Sequence, residues 1–333
     1  MNNMKLQELI AKAIEGDRVS ISKIITKLEY GDTKIWDEFL KIVNQQKKAE
    51  KHHFIGFVGP PGAGKSTLIA NLAKNYFKAG KVGVLTIDPS SPYTGGSFLG
   101  NRIRMLDALR GMQNVYCRSF ASRGSLGGMS TEAYMASKLL SVCGFTKILL
   151  EGVGAGHLDI KPLLYSHTRV IILTPASGDY VQMLKSGVME LGDIYVINKL
   201  DVGSPHKIKQ ELEEVVNLKS HTTGWKIPVL LTNAVEGIGV DQLAEAINIH
   251  YEYLLSSGLY NARCKEMDMS ELKDIFISYA VKHFEKIVAE DSQFLTAYRN
   301  ISSIREIVAG VFNKIVQEIN AEKTASIENV KVG

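Results

Sequence analysis

Phe54-Ile55-Gly56-Phe57-Val58-Gly59-Pro60-Pro61-Gly62-Ala63-Gly64-Lys65-Ser66-Thr67 is the stretch on which the reading of this chain turns. Its first five residues form an apolar run without strict alternation, as a strand buried on both faces would. Gly59 to Ser66 then fit the eight-position phosphate-loop pattern, and helical spacing follows from Lys65 to Lys78. Glycines let the backbone curl so that successive N–H groups converge on phosphate oxygens. The helix N-terminus adds partial positive charge at the same place. On this reading Gly62, Ala63, Gly64, Lys65, Ser66 and Thr67 cradle the phosphates of a nucleotide. Lys65 reaches the β- and γ-phosphates and takes part in catalysis, and Ser66 ligates Mg²⁺. A glycine-rich turn with an accidental lysine would explain the loop but not the strand before it and the helix after it.

Outward from this loop the pattern repeats. Candidate strands are Phe54 to Val58, Val82 to Ile87, Lys147 to Glu151, Arg169 to Thr174, Asp193 to Ile197 and Pro228 to Thr232. Helices fit between them at Lys65 to Lys78, Thr131 to Cys143, Tyr180 to Leu191 and Lys207 to Asn217. Strand–helix alternation with a glycine-rich first turn predicts an α/β fold, a doubly wound and mostly parallel sheet of the P-loop GTPase type. Helical extensions are expected at both ends. Residues 1–50 read as an N-terminal helical extension, 51–256 as the P-loop domain, and 257–333 as a C-terminal helical region in which Phe276, Ala280, His283, Phe284 and Ile287 share one apolar-leaning face.

The base is chosen by Asn198-Lys199-Leu200-Asp201, directly after a predicted strand. In an N-K-x-D segment the aspartate carboxylate accepts hydrogen bonds from guanine N1 and N2, and adenine lacks that donor pair. A buried carboxylate facing the wrong base would lose its partners, so discrimination can be large. Asn198, Lys199 and Asp201 are therefore candidate GTP/GDP-binding residues. Asn233 and Ala234, in Thr232-Asn233-Ala234, resemble a segment whose backbone also touches guanine, though an ordinary strand-to-helix turn reads the same way.

Two carboxylates end predicted strands. Asp88 precedes Pro89, and Glu151 opens Glu151-Gly152-Val153-Gly154. Acids at the carboxyl ends of parallel strands lie beside a bound ligand, so both are candidate Mg²⁺ ligands and catalytic groups. Gly154 could donate its N–H to the γ-phosphate, a contact that hydrolysis removes. The segments Ser91 to Arg104 and Ala121 to Ser130 are rich in glycine and serine, as functional loops are.

Composition narrows the field. The chain has 333 residues, 45% hydrophobic and 22% charged, an ordinary globular balance. A net charge of +4 offers no electrostatic footprint for nucleic acid or an anionic membrane. The three cysteines Cys117, Cys143 and Cys264 lie far apart, against a disulfide framework or a cysteine metal cluster. Met1 to Glu8 lacks a signal-peptide core and no apolar run is long enough to cross a bilayer, so the expected compartment is cytoplasmic.

Longer segments carry a more specific likeness. They are Asp88-Pro89-Ser90-Ser91-Pro92-Tyr93-Thr94-Gly95-Gly96-Ser97-Phe98-Leu99-Gly100, then Leu126-Gly127-Gly128, and above all Gly178-Asp179-Tyr180-Val181-Gln182-Met183-Leu184-Lys185-Ser186-Gly187. With the phosphate loop and the base motif, they resemble the methylmalonyl-CoA mutase-associated GTPases of the MeaB or ArgK type over roughly residues 15 to 250. The last segment matches that family's additional switch, which GTPases in general do not need. The resemblance implies a GTP-hydrolysing chaperone that helps load, protect or reactivate the cofactor of an adenosylcobalamin-dependent mutase. It makes Lys185 a catalytic-site lysine once a partner has ordered the switches, and it implies a homodimer joined through C-terminal helices. Asn101, Gly152 and His157-Leu158-Asp159 depart from the family pattern, where aspartate, threonine and Q-S-E are usual.

Three other readings share this architecture. A metal-insertion GTPase should carry clustered Cys or His ligands, and His52-His53, read as solvated residues of a linker, is the only adjacent histidine pair. A kinase needs a legible acceptor site. A nucleotide-binding protein with little turnover would tolerate the changes at Asn101 and Gly152.

Overall fold

The computed structural model describes residues 3–30, 35, 38–41, 52–88, 105, 107–121, 131–153, 160–175, 187–290, 305–306, 308–317 and 320. Helices α1 (Asn3–Ile14) and α2 (Arg18–Glu29) come first. Asp17 separates them and caps α2, its carboxylate accepting from the Val19 and Ser20 amides. The order then runs β1 (His53–Val58), α3 (Lys65–Tyr76), β2 (Lys81–Asp88), β3 (Val115–Ala121), α4 (Thr131–Val142), β4 (Phe145–Glu151), the single turn α5 (Lys161–Leu164) and β5 (Thr168–Leu173). A 3₁₀ turn (Val188–Glu190), β6 (Ile194–Asn198), α6 (Pro205–Thr223), β7 (Val229–Thr232), α7 (Val240–Ser256) and α8 (Leu259–Glu290) follow.

The seven strands form one sheet in the order β3-β2-β4-β1-β5-β6-β7, every neighbouring pair parallel. β2, β3 and β4 lie on one side of β1, and β5, β6 and β7 on the other. The switch point therefore falls beside β1, where open α/β sheets bind their ligands.

The continuous apolar strand runs have a physical cause here. Phe54, Leu85, Ile148 and Leu150 pack with α1, α2 and α4 in one cluster, while Ile55, Phe57, Val84 and Leu149 pack with α3 and α7 in another. Alternate residues of one strand thus serve opposite faces, and both faces are dry. Val58, Ile171, Tyr195 and Ile197 join α6 in a third cluster.

Six expected strands form, with ends within two residues of those expected. The seventh, β3, has no counterpart among them. It is an edge strand with partly exposed Cys117 and Arg118, so it never reads as an apolar run. Arg118 pairs with Glu29 and donates to Thr26, so α2 absorbs the charge. The expected helix from Tyr180 to Leu191 does not reach its end. Gly187 has φ 71 and only the 3₁₀ turn Val188–Glu190 follows, while 176–186 lie outside the described residues.

The chain divides into two compact units, Met1–Asp268 and Met269–Gly333. The second is helical among its described residues. Ile287 and Ile315 are buried there, Phe276 stacks on Phe312 with ring centroids 6.3 Å apart, and Leu272, Phe276, Val308 and Phe312 remain exposed. Among the described residues no helix is long and apolar enough to cross a membrane.

Candidate nucleotide site

The phosphate loop hangs between the end of β1 and the first turn of α3. Its shape depends on glycine at two positions. Gly64 has φ 88, and a Cβ there would lie 2.3 Å from the Asn198 side-chain nitrogen. Gly62 has φ 72, and a Cβ there would meet nothing within 4 Å, so the loop has open space at this residue. Lys65 is 6% exposed and folds back over the loop, donating to the carbonyls of Gly59 at 2.9 Å and Pro60 at 3.0 Å. The lysine charge is thus held over the concavity by backbone acceptors, where a phosphate could replace them.

Ser66 Oγ donates to Glu151 Oε1 at 2.6 Å, joining the helix start to the end of β4. Thr86 of β2 pairs in register with Glu151, so Asp88 lies two residues further along the neighbouring strand, on the same face. Asp88 and Glu151 are 2% and 6% exposed. One hydroxyl and two carboxylates, all hard oxygen donors beside a phosphate loop, fit Mg²⁺ by their chemistry. Gly152, one of the departures from the family pattern, donates its amide to Phe57 O at 3.1 Å and ties β4 to β1.

The base motif is braced against the phosphate loop. Asn198, 2% exposed at the end of β6, donates from Nδ2 to Ala63 O at 2.8 Å. Its Oδ1 accepts from Thr232 Oγ1 and from the Ala234 amide, both at 3.0 Å. Lys199 takes φ 67, the one left-handed non-glycine among the described residues. That conformation costs of order 1 kcal/mol for a residue with a side chain, and it turns the chain sharply after β6. Asp201 is exposed, with its carboxylate at the sheet's ligand edge. Asn233 exchanges two backbone hydrogen bonds with Ile238 and accepts the Val235 amide on its side chain at 3.2 Å.

Of the residues singled out from sequence, Gly62 to Thr67, Asp88, Glu151, Asn198, Lys199, Asp201, Asn233 and Ala234 all lie at the carboxyl edge of the sheet. Gly154 and Lys185 lie outside the described residues, as do Asn101, 89–104, 122–130 and 154–159. The sequence motif includes Thr232 but not its side-chain role, which completes the Asn198 brace, and it misses Asn71, which donates from Nδ2 to Ala234 O at 2.6 Å. Thr232 had a signal, its place one residue before Asn233; Asn71 had none.

The opposite edge corrects the reading of the histidine pair. His53 is not a solvated linker residue; it opens β1 and is 1% exposed. Its Nε2 meets Thr168 Oγ1 at 2.6 Å, and the same hydroxyl meets His250 Nδ1 at 2.8 Å. His167 Nδ1 accepts the Phe54 amide, and its ring stacks on Tyr260 with centroids 4.7 Å apart. Burial first, then the charges of His52 and Arg263, holds the His167 pKa down at about 3. Asp193 accepts two hydrogen bonds from Arg263, each 3.2 Å, and one from the Arg169 amide. Among the described residues no group of three or more His, Cys, Asp and Glu side chains is arranged to hold a metal ion.

A parallel sheet with a phosphate loop at its switch point, a hydroxyl–carboxylate pair beside it and an N-K-x-D brace defines a P-loop nucleotide-binding protein of the GTPase class. Comparison with known proteins carries this further. The family described as methylmalonyl Co-A mutase-associated GTPase MeaB matches residues 21–289, and the chain belongs to that family. A Pyrococcus horikoshii protein, assigned provisionally by its name to the GTPases, is 36% identical over 299 residues, covering 89% of this chain and 93% of its own. A Mus musculus protein named methylmalonic aciduria type A homolog, mitochondrial, is 28% identical over 296 residues, or 84% of this chain and 71% of its own. The crystal structure of a LAO/AO transport system kinase shares the fold, with a TM-score of 0.64 and 21% identity over 96% of this chain and 99% of that one.

Proposed function

We propose that this protein binds GTP, hydrolyses it to GDP and phosphate, and uses the cycle to chaperone an adenosylcobalamin-dependent mutase. The observation that carries the nucleotide chemistry is the Ser66–Glu151 contact under a phosphate loop whose Ala63 is tied to Asn198 of the base motif. Phosphate and base subsites are thereby fixed to one another.

In this reading Lys65 leaves the Gly59 and Pro60 carbonyls for the β- and γ-phosphates, and Asp201 accepts from guanine N1 and N2. Ser66, Asp88 and Glu151 would hold Mg²⁺, which when bound neutralises charge on the β- and γ-phosphate oxygens. Hydrolysis forms a bond from a water oxygen to the γ-phosphorus and breaks the bond to the β–γ bridging oxygen, and the water proton passes to solvent or to a carboxylate. Glu151 is the candidate for orienting that water, and Gly154 and Lys185 for completing the site.

The chaperone role rests on family membership and on the name of the mouse relative, which points to methylmalonate metabolism. Exposed apolar side chains among the described residues of the C-terminal region 257–333, Leu272, Phe276 and Phe312 among them, support association with a second copy. We place the protein in the cytoplasm, with no nucleic acid or membrane partner.

The test is GTP hydrolysis by the purified protein, alone and with each adenosylcobalamin-dependent mutase of its source organism. The expected result is slow turnover alone and strong stimulation by one mutase. Tight GTP binding with no stimulation by any mutase sinks the chaperone reading and leaves a differently partnered GTP-binding protein.

A further inference from the structure

Helix α3 starts at the phosphate loop, and one of its flanks is polar. Asn71 Nδ2 donates to Ala234 O at 2.6 Å, Asn75 Nδ2 to Asp241 Oδ1 at 2.7 Å, and Tyr76 Oη to Ala244 O at 3.2 Å. Residues at i and i+4, here Asn71 and Asn75, lie on one side of a helix, and all three side chains reach the chain that follows β7. Ala234 is 2% exposed and is held on both sides, its carbonyl by Asn71 and its amide by Asn198 Oδ1. Asn198 in turn holds the carbonyl of Ala63.

These contacts close a ring. The phosphate loop runs into α3, Asn71 on α3 grips Ala234, Ala234 grips Asn198, and Asn198 grips the phosphate loop. The segment 232–234 cannot shift relative to the phosphates without breaking a member of that ring. An asparagine that merely satisfied a carbonyl would need no such closure; its carbonyl could belong to any nearby turn.

We propose that Asn71 is a positioning residue for base selection, which fixes the 233–234 backbone relative to the phosphate loop so that guanine is favoured over adenine. This rests on the reading that the site binds GTP and that Thr232-Asn233-Ala234 lies beside the base. The donor is the essential feature. Asn71→Asp keeps the size and shape of the side chain but sets an oxygen against the Ala234 carbonyl.

The experiment compares GDP and ADP affinity, GDP dissociation and thermal unfolding for the wild type, Asn71→Asp, Asn71→Ala and Asn75→Ala. Loss of a hydrogen bond in this setting is worth about tenfold in affinity. GDP dissociation from Asn71→Asp is expected to quicken about tenfold and the GDP-to-ADP affinity ratio to fall by the same factor. ADP affinity should not fall. Asn71→Ala gives the same shift in ratio and serves if the aspartate variant does not fold. Asn75→Ala, whose partner is an exposed carboxylate, keeps the wild-type ratio. A ratio unchanged in both Asn71 variants, or GDP and ADP weakened alike together with a lower melting temperature, overturns the proposal. If the wild type itself does not prefer GDP to ADP, the GTP reading fails, and the inference falls with it.

Discussion

The two edges of the sheet both bury polar groups, but they are built differently. At the carboxyl edge a loop of backbone amides at 59–66 stands at the centre, braced by single side chains from other strands, Glu151 against Ser66 and Asn198 against Ala63. At the amino edge they are chiefly side chains, His53, His167, Thr168, Asp193, His250 and Arg263. The carboxyl edge has space on one side, since a Cβ at Gly62 meets nothing. The amino edge is closed by stacked rings: His53 on Tyr251 at 4.1 Å and His167 on Tyr260 at 4.7 Å. Open polarity suits a ligand, whereas closed polarity contributes specificity to the fold.

If that contrast is right, variants at the two edges should separate activity from stability. The largest effect is expected at the top. Lys65→Ala should lower GTP turnover by about 10²- to 10³-fold, because a positioned cation at the transferred phosphate is lost. Its unfolding free energy should change little, since Gly59 and Pro60, whose carbonyls lose a donor, are only half-buried. Turnover close to wild type in a steady-state phosphate-release assay would break the comparison at its strongest point.

Asp193→Ala is the counterpart. It strips Arg263 and the Arg169 amide of their acceptor in a buried setting. The expected cost is about 3 kcal/mol, read from urea midpoints at constant slope. Nucleotide affinity should stay within about threefold, because the site lies at the other end of the strands. A large loss of affinity with little loss of stability would show that the edges are coupled.

The smallest effect, taken per ring and per pH unit, is a pH dependence. His53 and His167 are neutral in the native state because burial pushes both pKa values down, to about 3 for His167. In the unfolded chain each ring titrates near about 6.5, so protons then favour unfolding. Their contribution to stability is complete above that value and is lost as pH falls below it, for His167 down to about 3. Each ring should cost about 1.4 kcal/mol per pH unit in that window. Urea unfolding from pH 7.5 to 5 checks this, and His167→Gln should flatten the slope. A flat profile in the unsubstituted protein would mean that the rings are not held neutral.

Much of the fold could be read from the chain. β1, β4 and β5 each hold a continuous apolar run, Phe54 to Val58, Ile148 to Leu150 and Val170 to Leu173, because that stretch is covered on both faces, and that leaves a mark in sequence. β3 leaves none, since its outer edge and part of its face meet α2, which supplies Thr26 and Glu29 to Arg118. A helix cannot run on to Leu191, because Gly187 takes a left-handed φ of 71 that a helix does not accommodate, and a glycine within an otherwise helical pattern does not announce that conformation. His53 looked solvated because it adjoins His52 and a charged run; only the neighbouring strand reveals Thr168 as its partner.

The class of fold, the phosphate loop and the N-K-x-D segment were all legible in the chain alone. Each depends on residues close together in the chain, whose spacing dictates backbone geometry directly. The tertiary structure alone decided how these parts bear on one another. Asn198 gripping Ala63, Asn71 gripping Ala234, and Asp193 receiving Arg263 join residues brought together by the winding of the sheet. A hydrogen bond acts over about 3 Å and carries no memory of chain separation, so no local pattern can announce it.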